Sequence, residues 1–144
     1  MRRTFPLHDL GDEEFETLVA AICDKILGTG TIVFAPGRDG GRDATFSGIA
    51  QNYPSTSSPL KGQFVIQAKH TRNPAASCSD IEFDTALVGE HPKIKKLYED
   101  GELDHYLLFT NRKKPATKSI AKEKAIKKLG VKTAQILGLE QIRA

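Results

Sequence analysis

From Phe64 to Lys69 the chain alternates, with Phe64, Ile66 and Ala68 on one parity and Val65, Gln67 and Lys69 on the other. In an extended strand the two sets point to opposite faces. The run is short, and a stretch too long for a hairpin follows it, so it reads as a central strand left by a crossover. That places a lysine inside a sheet. Ammonium groups are almost never buried without a partner, and the nearest acid on a neighbouring strand is Asp43, in Asp39-Gly40-Gly41-Arg42-Asp43. Asp43 is therefore the partner expected for Lys69.

The rest of the chain supplies a frame for that strand. Asp12, Glu13 and Glu14 put negative charge at a helix start, and Phe15, Leu18, Val19, Ile22, Cys23 and Ile26 recur at helical spacing up to Gly28. Thr31 to Ala35 and Asp43 to Ser47 read as two strands of a hairpin around Asp39-Gly40, a preferred turn pair. Residues 50–61, rich in Ser and Pro, read as a loop, and the next strand runs from Gly62 to Lys69. Residues 79–100 read as helix interrupted near His91-Pro92, Tyr106 to Thr110 as strand, the stretch from Pro115 to Gly130 as helix, and Val131 to Leu137 as strand. This order predicts an α/β fold with three layers, a central mixed sheet of about five strands flanked by helices. A single domain spanning 1–144 is expected. The ending Leu139-Glu140-Gln141-Ile142-Arg143-Ala144 reads as a helix begun without a stop signal, as at the end of an amino-terminal domain of a longer protein.

Composition narrows the function classes. Apolar residues make up 39% and charged residues 27%, as in soluble domains, and no apolar run nears the roughly 20 residues that span a bilayer. Met1-Arg2-Arg3-Thr4-Phe5-Pro6 lacks the apolar core of a signal peptide. The expected location is the cytoplasm, with no membrane partner. Cys23 and Cys78 have neither disulfide nor zinc spacing and read as reduced thiols, and His8, His70, His91 and His105 show no metal-ligand spacing. There is no G-x-x-x-x-G-K and no G-x-G-x-x-G, which argues against a nucleotide-cofactor enzyme. Net charge is only +3, but Arg112, Lys113, Lys114, Lys118, Lys122, Lys124, Lys127 and Lys128 face a single acid, Glu123, in their segment. Such a segment suits phosphate contact.

An acid and a lysine on adjacent strands suit phosphodiester hydrolysis, which needs a metal to neutralise phosphate and activate water, and a cation near the developing charge. Hard oxygen ligands favour magnesium, with manganese able to substitute. Asp43 supplies the carboxylate, Gln67 an amide oxygen and Ala68 its main-chain carbonyl, while Lys69 orients water or stabilises the transition state. Glu16, at the margin of the first helix's apolar stripe, is placed to hold a metal-bound water.

These residues, in this order, resemble the PD-(D/E)xK nuclease superfamily and within it the Mrr-like branch, where the strand motif often reads Gln-x-Lys. The matching segments are Phe15-Glu16-Thr17-Leu18-Val19, Asp39-Gly40-Gly41-Arg42-Asp43, Gln67-Ala68-Lys69 and Tyr106-Leu107-Leu108-Phe109-Thr110-Asn111. The resemblance implies a restriction-endonuclease-like fold and a magnesium-dependent DNA endonuclease domain. Asp43, Gln67, Lys69 and Glu16 would form its site. Arg42, His70, Arg72, Lys113, Lys118 and Lys122 would contact double-stranded DNA. It further implies the effector domain of a bacterial restriction or anti-phage protein, controlled by a carboxy-terminal sensor or ATPase domain and self-associating for double-strand cleavage. The competing reading is a domain of the same fold that binds nucleic acid, or assembles, without cutting.

Overall fold

The acidic start does open a helix. Glu14 Oε1 accepts the Gly11 N–H at 3.0 Å, and α1 runs over Asp12–Ile26. It is followed by β1 (Ile32–Pro36), β2 (Arg42–Ala50), β3 (Leu60–Lys69), α2 (Ile81–Glu99), β4 (His105–Thr110), α3 (Ala116–Lys127) and β5 (Thr133–Leu137), with a 3-10 turn at Leu7–Asp9 ahead of them. This computed structural model describes residues 7–28, 32–36, 42–50, 52–53, 55, 57–73, 75–114, 116–139 and 142, but not the side chains of 12, 32–36, 42–43 and 116–118. The expected Asp39-Gly40 turn lies outside the described residues.

The sheet has the order β1-β2-β3-β4-β5. β2 and β3 are antiparallel, in register from Ala50↔Leu60 to Asp43↔Gln67. β3, β4 and β5 are parallel, and β1 joins the β2 edge through a ladder whose register shifts between Ile32 and Ala35. Every residue of β4 is buried, as parallel strands covered on both faces require. The α/β class and the mixed sheet are as expected.

Side-chain parity divides the core into two halves. Phe15, Val19 and Cys23, one stripe of α1, and Leu27 just after it pack with Ala44, Phe46, Phe64, Ile66, Leu107 and Phe109. Val65, Tyr106, Leu108 and Ile136 point the other way, against Phe83, Leu87 and Ile94 of α2 and Ile126 of α3. Burial of each large apolar side chain stabilises by about 1.5–3 kcal/mol, so a charge at Val19 or Leu108 would break a layer contact.

Two expectations need correction. β2 and β3 run past their expected ends to the edges of the stretch read as loop, taking in Ala50 on one side and Leu60 and Lys61 on the other. Their ladder includes the pair Gly48↔Gly62, with φ of 135° and 136°, a region that only glycine occupies readily. Gly62, expected at a strand start, thus pairs with Gly48, just beyond the expected end of the second strand at Ser47. Nor is α2 interrupted, because Pro92 lies within the helix. Phe83, Leu87 and Ile94 share a stripe that holds both halves on the sheet, and Pro92 is exposed, so water can hydrate the carbonyl that its missing N–H leaves unpaired.

Candidate active site

Gln67 and Lys69 leave β3 on the α2 side, as their parity with Val65 requires. There the Lys69 ammonium meets Glu90 Oε1 at 3.1 Å, and the Gln67 amide donates through Nε2 to Glu90 Oε2 at 3.0 Å. The Tyr106 hydroxyl donates to Gln67 Oε1. Both carboxylate oxygens of Glu90 are thus committed to the two polar residues of one strand face. Gln67 is buried at 4% exposure, and the Lys69 and Glu90 side chains are 22% and 16% exposed. An ion pair this sheltered is screened far less than a surface pair.

The end of β3 that carries Lys69 is pinned from several directions. Asn111 receives the Thr71 N–H on Oδ1 at 2.9 Å and donates to the Thr71 carbonyl at 2.6 Å. His70 Nε2 lies 3.2 Å from the Leu7 carbonyl, and its ring centroid is 5.3 Å from that of Phe15. The first turn of α1 and the loops after β3 and β4 therefore converge on the carboxyl end of the parallel strands. That is the edge where open α/β sheets place their ligands.

The expected site residues are distributed unevenly around this end. Asp43 is the direct partner of Gln67 in the β2–β3 register, while its side chain, like those of Arg42 and Lys118, is outside the described residues. Ala68 lies one step further along, paired with Phe109. Glu16 is buried on α1, the helix that covers the opposite face of β3. Any ligand shared by Glu16 and Lys69 must then sit beyond the strand end, where the two layers come together. His70 serves as an anchor for Leu7. Arg72 and Lys113 are exposed, and the Lys113 backbone stitches two loops, accepting from Cys78 and donating to Ala76. Lys122 is 14% exposed and pairs with Asp84 at 3.3 Å, linking α3 to α2.

Lys69 pairs with Glu90, a partly buried acid of α2, while its expected pairing with Asp43 falls on a side chain outside the described residues. Sequence reasoning passed over Glu90 although a signal existed. An acid between Leu87 and Ile94, on an otherwise apolar helical stripe, is unusual enough to question. For Tyr106 the sequence indicates only a strand position. Arg112 was grouped with surface cations, yet its guanidinium packs 5.2 Å over the Phe83 ring and it is buried at 8% exposure. Its Nε is without a hydrogen-bond partner among the described residues.

Burial pushes the Cys23 thiol up to about 12, helped by the Asp24 charge, so it is an inert core group. Cys78 is likewise free and buried. An open depression lined by Tyr53, Leu60, Lys114, Glu123 and Gln135 includes none of the Lys69 cluster. There Glu123 accepts the Ile136 N–H at 2.7 Å and pairs with Lys114 at 3.6 Å, which covers part of the β5 edge. Among the described residues, no three His, Cys, Asp or Glu side chains form a metal cage, and no helix is long and apolar enough to cross a membrane. The oxygens gathered near Lys69 are hard donors, the Glu90 carboxylate and the Gln67 amide oxygen that accepts from Tyr106. Their chemistry fits magnesium rather than zinc. Comparisons with protein-family models, curated proteins and solved structures return no match to this chain.

Proposed function

We propose that this chain is a metal-dependent DNA endonuclease domain with the restriction-endonuclease-like fold of the Mrr-like branch of the PD-(D/E)xK superfamily. One observation carries the reading: Lys69 and Gln67 share a strand face, and Asp43 stands opposite Gln67 in the ladder. Asp43, the Gln67 amide oxygen and the Ala68 carbonyl would hold magnesium or manganese, with Glu16 acting through water. Bound magnesium supplies charge neutralisation of the phosphate and an acidified water. Lys69 stabilises charge developing on the phosphate or orients that water. Arg42, His70, Arg72, Lys113, Lys118 and Lys122 contribute backbone contacts to duplex DNA, which give affinity without base preference. The domain would act in the cytoplasm, in bacterial restriction or anti-phage defence. A carboxy-terminal sensor or ATPase domain would control it, and self-association would permit double-strand cuts.

The test is plasmid cleavage with magnesium and with chelator, for the native chain and for Lys69→Ala. Magnesium-dependent nicking that Lys69→Ala abolishes is the expected result. Cleavage by Lys69→Ala at the native rate would remove Lys69 from the mechanism. The second reading, a DNA-binding or assembly domain that does not cut, draws on the amide of Gln67, whose two polar ends are engaged by Glu90 and Tyr106. Salt-dependent DNA binding with no cleavage under any divalent ion would favour it.

A further inference from the structure

We infer that Glu90 supplies the second carboxylate of the metal site, the charge that Gln67 lacks at its own position. The inference rests on the endonuclease reading above. With Gln67 neutral, Asp43 is the lone anionic ligand that β2 and β3 offer, and affinity for a hard divalent cation rises with ligand charge. Glu90 reaches the same strand face from α2, with one oxygen 3.0 Å from the Gln67 amide nitrogen and the other 3.1 Å from the Lys69 ammonium. A plain counter-ion for Lys69 would need only the second contact. The first puts carboxylate oxygen where the strand side chain presents its own polar group, at the level of Asp43 in the ladder.

The Tyr106 hydroxyl makes the arrangement adaptable. It now donates to Gln67 Oε1, and a hydroxyl can equally accept. Turning the Gln67 amide over would leave Nε2 donating to Tyr106 and Oε1 beside the Glu90 carboxylate, two hard oxygens converging on one point.

The experiment is isothermal titration of manganese and of magnesium into the native chain, Glu90→Gln, and the swap Gln67→Glu/Glu90→Gln. Glu90→Gln should weaken manganese binding by about tenfold or more. The swap, which moves the carboxylate across a single hydrogen bond, should restore most of the loss. Thermal unfolding of each variant in chelator reports the fold separately. A Glu90→Gln chain that loses melting temperature but binds manganese like the native chain makes Glu90 only an ion-pair partner and overturns the inference. Where Glu90→Gln alone does not fold, the folded swap carries the test, and failure of the swap to bind manganese overturns it. A native chain that neither binds these ions nor cuts plasmid overturns the endonuclease reading and this inference together. A native chain that binds and cuts beside an equally binding Glu90→Gln sinks the inference alone.

Discussion

Replacing Gln67 by Glu changes one group in the network and turns a donor into a charge. Gln67 Nε2 donates to Glu90 at 3.0 Å in a site where Gln67 is 4% exposed. Two carboxylates at that separation repel by about 5 kcal/mol at an effective dielectric constant of about 20. The Lys69 ammonium, 3.1 Å from Glu90, offsets part of this. A net loss of about 3 kcal/mol follows, within the range for an uncompensated buried charge. The pair can escape by sharing a proton, which raises the new carboxyl's pKa above its unfolded value of about 4.3. A raised pKa means that stability is retained below the unfolded value and lost as pH rises through the folded one. Relative to the native chain, Gln67→Glu should lose about 1 kcal/mol near pH 5 and about 3 kcal/mol by roughly pH 6.5, then level off. Urea unfolding in chelator across that range, with and without magnesium, measures it. A loss that does not vary with pH, or no loss at all, would mean that the Gln67 amide does not donate to Glu90.

Pro92→Ala should raise stability by about 1–3 kcal/mol, because the proline sits exposed inside α2 and forfeits a helix hydrogen bond; an unchanged melting temperature would show that the helix has already adapted. Cys23, normally near 9.0 and pushed up to about 12, should make stability fall between about pH 9 and 12 as the unfolded chain alone loses the proton. Cys23→Ala should flatten that slope in urea titrations, leaving the contribution of Tyr53, which burial and the Glu123 charge raise in the same direction. For Lys122, a double-mutant cycle with Asp84 should give under about 1 kcal/mol, since Asp84 is 55% exposed. Asp84→Ala should strengthen DNA binding by freeing the ammonium, whereas Lys122→Ala should reduce the salt slope by about 1. An unchanged slope in both variants would remove Lys122 from the DNA surface.

Much of the frame was legible because period and burial are coupled. Phe15, Val19 and Cys23 of the expected α1 stripe are buried, and Ile22 and Ile26 pack partly buried against the same core. The parity of Phe64 and Ile66 against Val65 matches the division between the two core halves. Composition misled at the end of β2 and at the proline. Gly48 and Gly62 pair across a ladder, and Pro92 rides within α2, because long-range packing of the flanking residues outweighs a local preference worth a few kcal/mol.

The alternation around Gln67 and Lys69 determines, without any tertiary information, that both side chains share one face and that an ammonium there must find an anion. Which anion it finds is a matter of where α2 comes to rest. Glu90 lies 21 residues from Lys69 in sequence and touches it at 3.1 Å, a meeting set by how Phe83, Leu87 and Ile94 pack with Val65, Tyr106, Leu108 and Ile136 of the sheet. Strand parity is local geometry and is written in neighbouring residues. The axial position of a helix on a sheet is fixed by the packing of a whole stripe, so only the folded chain decides which carboxylate closes the site.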